Sequence, residues 1–381
     1  MTRRFRRRAL SLIMATSVAW SQVTHAVLAE PRPVSVEAWQ RSSSARLVAD
    51  GSLSDVAALS ADDVWAVGQQ EIWDVWKSRG TIRHWDGSRW SEVAIRDASG
   101  AGNLRGVAAA SASDVWAVGD GHDGVPYLAH GDVNGFDRVR AEGLWTGDWL
   151  GGVDARPGRV VAVGRGKSRD LDPRKSNWTV GLIVTGQNGR WTVQETEAEG
   201  ALYAVSEGIA VGDTGTQPLI MHQSGDTWKA MPVPDVPGGY LRDVQVDGGK
   251  RAMAVGGVYH GPSDVEPLVL SWDGKHWRRV PLPGTDARLY GVTGDGKGRY
   301  WISGYDPTRE TEPFMLRCEK GDCEIIRGAA AQGRSSVRLQ AVTYLPGKGA
   351  VWAVGHAVDL ADRYSDVVET FGPGGPPPKD S

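Results

Sequence analysis

Arginine and tyrosine recur at one position of a repeated segment in this chain of 381 residues. The residue after a leucine is, copy by copy, Ser54, Arg105, Gly151, Tyr203, Arg242, Tyr290 and Gln340. It varies and is mostly polar or aromatic, while its neighbours in the repeat read as apolar or small. Arg105 and Arg242 would pair with an anion, and Tyr203 and Tyr290 would stack or hydrogen-bond, so the set suits an anionic or polyhydroxylated ligand. A second set lies on irregular segments: Trp73, Trp76 and Lys77, then Arg165, Lys167, Arg169, Arg174 and Lys175 against Asp170 and Asp172, then Tyr259 and His260, then Arg363 and Tyr364. Aromatic loop residues offer faces for sugar rings, with Arg and Asp to bond hydroxyls. The ligand-binding candidates are therefore Arg105, Tyr203, Arg242, Tyr290, Trp73, Trp76, Tyr259 and His260. Each also reads as a solvated loop or a side chain filling a hydrated channel.

Other chemistry is thinner. Asp120, Asp213, Tyr305 and His356 fall at equivalent strand ends and would supply an acid–base pair if the chain is an enzyme. His84, His130 and His222 resemble a metal triad, but they occupy one repeat position in three different copies. Zinc needs its ligands about 2 Å from one point, so the set is rejected and no metal or cofactor is expected. Asp132–Gly135 and Asp295–Gly298 read as turns without the ligand series of a calcium loop. There is no Gly-x-Ser-x-Gly and no phosphate-binding Gly-rich loop.

The elements that hold these residues repeat seven times. Asp63-Val64-Trp65-Ala66-Val67-Gly68 returns with variation to Val351-Trp352-Ala353-Val354-Gly355, and the closing glycines are 44 to 51 residues apart. That spacing is one propeller blade. Each copy runs from a Leu-x-x-Val strand, through this Val-Trp-Ala-Val-Gly strand, to a third strand such as Thr81–Trp85, a tight turn, and a fourth beginning at a residue such as Trp90. The second strand is apolar on both faces, as a sheet packed between neighbours requires. The spacing predicts an all-β, seven-bladed propeller of four-stranded antiparallel blades over residues 30–372. The seventh copy lacks a fourth strand, and Trp39 stands as far before Leu53 as Trp90 stands before Leu104, so the N-terminal segment should complete the last blade. Cys318 and Cys323 occupy the positions that Trp85 and Trp90 hold in the first copy, opposite each other across a hairpin, and are expected to form a disulfide.

Short connections fall between first and second strands and between third and fourth. The long ones share the opposite face of the disc, which is the candidate working face. Residues 1–29 carry five arginines, a short apolar run and Val27-Leu28-Ala29, a secretion signal cut after Ala29 or Ala26. The run is too short for a convincing membrane span. Removing the segment takes away five arginines and no acid, so the formal charge falls from −3 to −8. That disfavours nucleic acid as a partner. Residues 373–381 form a Pro/Gly-rich tail.

The units Asp-Val-Trp-Ala-Val-Gly and His84-Trp85-Asp86-Gly87-Ser88-Arg89-Trp90 resemble those of secreted bacterial β-propellers and are distantly similar to tectonin-type lectin repeats. The resemblance implies the fold and a lectin-like binding role. Gly225-Asp226-Thr227-Trp228 matches the tail of a sialidase Asp-box, but Met221 and Gln223 stand where that box has Ser and Asp. A secreted, monomeric, non-catalytic module binding an extracellular glycan, envelope component or small molecule is the favoured expectation. A propeller lyase or hydrolase and a protein-interaction scaffold are the alternatives.

Overall fold

The computed structural model describes residues 37–373 apart from 41–42, 49, 74–77, 98–99, 173 and 263. The expected signal segment, Trp76, Lys77 and the tail beyond residue 373 lie outside the described residues. Seven four-stranded antiparallel sheets form the blades, and no α-helix occurs among the described residues. Blades 1 to 6 span residues 52–93, 101–139, 149–199, 201–230, 239–279 and 288–327. Blade 7 takes three strands from residues 334–373, and the N-terminal strand Glu37–Trp39 lies outermost beside Tyr364–Pro373. The expected seven-bladed propeller closed by its N-terminal strand is thus observed.

The second strand of each blade is buried almost throughout, as in Asp63–Gln70, because its two faces meet the blades on either side. The opening Asp-Val-Trp has a specific use in blades 1 and 2. Asp63 Oδ1 accepts from Trp65 Nε1 (2.9 Å) and meets His84 Nε2 at 2.9 Å, while the His84 ring lies 4.4 Å from that of Trp65. Asp114, Trp116 and His130 repeat the clip at 2.8 Å and 3.0 Å. The histidines are thereby engaged within their own blades.

The closing glycine of the motif has a steric cause. A Cβ on Gly68, Gly119, Gly164, Gly212, Gly256, Gly304 or Gly355 would fall between 1.7 Å and 2.4 Å from a carbonyl oxygen of the first strand. No side chain fits there. Opposite that glycine the first strand carries a β-bulge in all seven blades, between Leu53 and Asp55 in blade 1 and at the matching residues elsewhere. The leucine stays in the core, and the bulged residue after it leaves the ladder.

Closure is more than one short strand. Trp39 pairs with Phe371, their rings 5.7 Å apart, and Glu37 forms ion pairs with Arg299 (3.3 Å) and Arg317 of blade 6. Downstream, Ser43 exchanges backbone bonds with Val368. Buried Asp366 accepts the N–H groups of Ala45 (2.5 Å) and Leu47 (3.0 Å). In blade 6, Cys318 and Cys323 are directly opposite with Cα atoms 4.1 Å apart and form the disulfide. The aromatic pair it replaces is intact in blade 1, where Trp85 and Trp90 lie 5.9 Å apart and both touch Trp352 of blade 7.

Two outcomes follow from this packing. Deleting residues 30–45 strips blade 7 of its outer strand and takes the Ser44 hydroxyl and the Ala45 N–H from buried Asp366, so thermal unfolding should shift to markedly lower temperature or give way to aggregation. An unchanged melting curve would refute closure by the N-terminus. Alkylation of native, unreduced protein secreted into an oxidising medium should label neither cysteine. Because the loop is so short, reduction should cost less than the roughly 3 kcal/mol of a fifteen-residue loop.

Candidate functional site

The first strands converge on the ring axis, and the bulge turns one residue of each toward it. All seven bulged residues, Ser54, Arg105, Gly151, Tyr203, Arg242, Tyr290 and Gln340, line one cavity of about 730 Å³. Tyr259 joins them, not from a loop as expected but from the long second strand of blade 5, Arg251–Gly261, where it pairs with Val265, and with Gly215 and Gly238 it marks the opening on the long-loop face. Five of the residues read from the sequence as ligand-binding are thus gathered in one place. Two are not: Trp73 packs edge-on against Tyr364 at 5.3 Å and stands 65% exposed, and His260 lies 3.4 Å from Glu266 on the surface.

The cavity has lining residues that sequence reasoning missed. The position before the leucine is polar or aromatic in six blades, Ala201 of blade 4 being the exception. It holds Ser52, Asn103, Trp149 and Tyr240 in the cavity wall, and Arg288 and Arg338 in blades 6 and 7. Its variation from copy to copy was the available signal. It was hidden because a regular strand would point it and the residue after the leucine together, while only a bulge opens the mouth wide enough for both to matter.

Two places after the leucine, five blades have Gly or Ala, and blades 1 and 5 have Asp55 and Asp243. The small residues are enforced by neighbours: a Cβ on Gly152 would come within 2.7 Å of the Ala204 backbone in blade 4, and one on Gly291 within 2.9 Å of Ala341 Cα in blade 7. The aspartates instead reach across to the next blade. Asp55 accepts the N–H of Val56 (2.8 Å) and of Val107 in blade 2 (2.8 Å). Asp243 accepts from Val244 (2.8 Å) and from Val292 in blade 6 (2.7 Å). Burial pushes both carboxyls up to about 7, against the pull of these donors, and the charge of Asp55 raises Asp243 further.

Charge at the mouth is uneven. Arg105 is held by Asp120 through two bonds (3.2 and 2.7 Å). Its guanidinium and that of Arg165 both lie over the Trp149 ring, at 5.5 and 5.3 Å. Arg242 lies 5.0 Å from the ring of Tyr290 and Arg338 lies 4.7 Å from that of Tyr305. Among the described residues, Arg165, Arg242, Arg288 and Arg338 have no carboxylate partner. The remaining cations of the basic-looking blade 3 loop are engaged locally: Arg174 with Asp172 (2.7 Å), Lys175 with Asp170 (3.0 Å), Arg169 with buried Asp148 (2.6 Å), and Lys167 with the Asn177 carbonyl (3.1 Å).

The four acid–base candidates do not meet. Asp120 is committed to Arg105, and Tyr305 is hydrogen-bonded to Glu310. Asp213 accepts from the Tyr203 phenol, which burial and then the Asp213 charge push up to about 12. His356 lies 2.9 Å from the Ser52 hydroxyl, and burial, with Arg338 adding to it, pushes its pKa down to about 4. Of the four, Asp213 alone lines the cavity.

No family model matches the sequence, and no curated protein matches it. Solved structures do share its fold. YCF48 bound to D1 peptide is 12% identical with a TM-score of 0.57, covering 87% of this chain and 96% of that one. An ancestral GH74 enzyme is 12% identical with a TM-score of 0.56, covering 86% of this chain but 47% of that chain, so this protein spans about half of it. The β-propeller domain of the Trilobed protease from Pyrococcus furiosus is 11% identical with a TM-score of 0.52, over 87% of this chain and 99% of that one. At such identity the likeness establishes the propeller and no activity.

The floor carboxyls give a pH signature. Their folded pKa of about 7 lies above the ordinary carboxylate value of about 4, so the native state holds extra protons between those limits. Their burial costs nothing below about pH 4 and its full amount above about pH 7. Asp55→Ala/Asp243→Ala, which installs the small residue of other blades, removes that titration. Across pH 4 to 7 the melting temperature of the parent should fall relative to the variant, and a pH-independent difference by calorimetry would refute the assignment.

Proposed function

We propose that this propeller is a secreted, non-catalytic binding protein that recognises an extracellular glycan or cell-envelope component at the mouth of its central cavity. One observation carries the reading. Trp149, Tyr203, Tyr240, Tyr259 and Tyr290 from four adjacent blades line a single cavity together with the amide side chains of Asn103 and Gln340 and the hydroxyl of Ser54. Ring faces interleaved with neutral hydrogen-bonding groups suit a polyhydroxylated ligand, whose C–H faces stack while its hydroxyls bond. The volume is within the range of pockets that hold small molecules or the end of a short polymer. The repeat resemblance to tectonin-type lectins and the N-terminal signal-like segment support the same reading.

Against the enzyme alternative stands the engagement of each acid–base candidate by a local partner, and of both floor aspartates by backbone donors. A general acid or base needs a free route to the proton it moves.

The test is a glycan-array and envelope pull-down screen of residues 30–381, with Trp149→Ala and Tyr290→Ala beside Arg89→Ala and Lys275→Ala in the hairpin turns of the opposite face. The cavity variants should lose binding at least tenfold with the fold retained by circular dichroism, while the hairpin variants bind as the parent does. Loss confined to the hairpin variants would place the site on the other face, and turnover of a retained glycan would favour the enzyme.

A further inference from the structure

We propose that the cavity reads a singly charged carboxylate carried on a sugar ring, with Arg165 and Arg242 as the residues that recognise it; this rests on the glycan-binding reading above. The expected mature chain is acidic overall, so cations without partners at the ring axis are a local exception that the composition does not provide for. Arg165 and Arg242 come from blades 3 and 5, on either side of Tyr203 of blade 4, which lines the wall between them. Both are exposed, and both have their planar groups laid over aromatic rings, Trp149 and Tyr290. A guanidinium fixed in this way keeps its N–H edge free for a carboxylate and loses little freedom on binding.

The contrast within one blade makes the point sharper. In blade 3, Arg169 and Arg174 are engaged by acids of their own neighbourhood, whereas Arg165 has no carboxylate partner and lies 5.3 Å over the ring of Trp149, a residue of the cavity wall. Acid neutralisation was available to this loop and was not applied to Arg165.

The cavity also limits the charge it can take. Asp55, Asp213 and Asp243 line the same space, Asp55 and Asp243 bonded to backbone donors of the next blade and Asp213 to the Tyr203 phenol. A multiply charged group such as a phosphate monoester would meet these acids at close range, whereas one carboxylate at the rim is balanced by the two arginines. The rings that flank the arginines then face the sugar itself. Such a ligand is an acidic polysaccharide of the uronic-acid kind rather than a neutral glucan.

Tetragalacturonate, its fully methyl-esterified form and tetraglutamate are the probes, titrated by calorimetry into the mature protein. The acid form should bind, the ester at least tenfold more weakly, and tetraglutamate not measurably. Arg165→Gln/Arg242→Gln should lower affinity for the acid form at least tenfold and leave the ester unchanged, with Arg174→Gln as a neutral control and unfolding curves superimposed. Affinity of the parent should fall as sodium chloride rises. Equal binding of acid and ester would overturn the carboxylate proposal and leave the glycan reading standing. Binding of tetraglutamate without tetragalacturonate would overturn both, and binding of none of the three would overturn this proposal.

Discussion

A single backbone contact, repeated seven times, sets the form of this protein. The glycine that closes the motif of each second strand lies against a first-strand carbonyl with no room for a β-carbon. That approach is compatible with the bulge that follows, because the chain opposite the glycine must leave the regular ladder to keep its leucine in the core. The leucine and the glycine serve packing, and the residue between leucine and bulge end is released from it. Architecture and cavity lining therefore share one cause: the same distortion that lets blades nest is what brings seven bulged residues, six of them with side chains, to one cavity.

The ring is regular in backbone and irregular in chemistry. Gly and Ala let neighbouring first strands touch at most of the inner positions, while Asp55 and Asp243 fill the remaining two by bonding to the next blade. Similar side-chain staples join other neighbours, with Ser206 accepting from Val246 at 3.2 Å and Thr293 from Tyr344 at 3.0 Å. Polar groups at the inner ring are thus committed to structure, whereas Arg165 and Arg242 have no carboxylate partner among the described residues.

The fold was legible because its signal is periodic: glycine spacing, a doubly apolar strand, and an orphan Trp39 at the right offset before Leu53. The disulfide was legible by substitution of one hairpin pair for another. Of the site, the post-leucine residues were readable as copies that differ, and Tyr259 as an aromatic residue on a long connection. Trp149 and Tyr240 were missed because strand alternation gives no hint of a bulge, and Asp55 and Asp243 because an aspartate two places after a leucine resembles a turn residue. Trp73 and His260 carried the same composition signal as Tyr259, but Trp73 packs on Tyr364 and His260 faces Glu266 across an extended hairpin, contacts that no period encodes. The blade 3 loop looked basic for the same reason: counting charges does not say which acids fold back on them.

The pairing of Glu37–Trp39 with Tyr364–Pro373 also imposes an order on events. The strand that leaves the ribosome first has no partner until the last strand has been made. Throughout synthesis of the blades between them it must remain unpaired, and so must the backbone donors that Asp366 will take up. Blades can stack on one another as they emerge, but the ring becomes a closed object only once Tyr364–Pro373 has been made. Ring closure is therefore timed by that strand, and a ribosome stalled before the last blade holds an open arc with two bare edges.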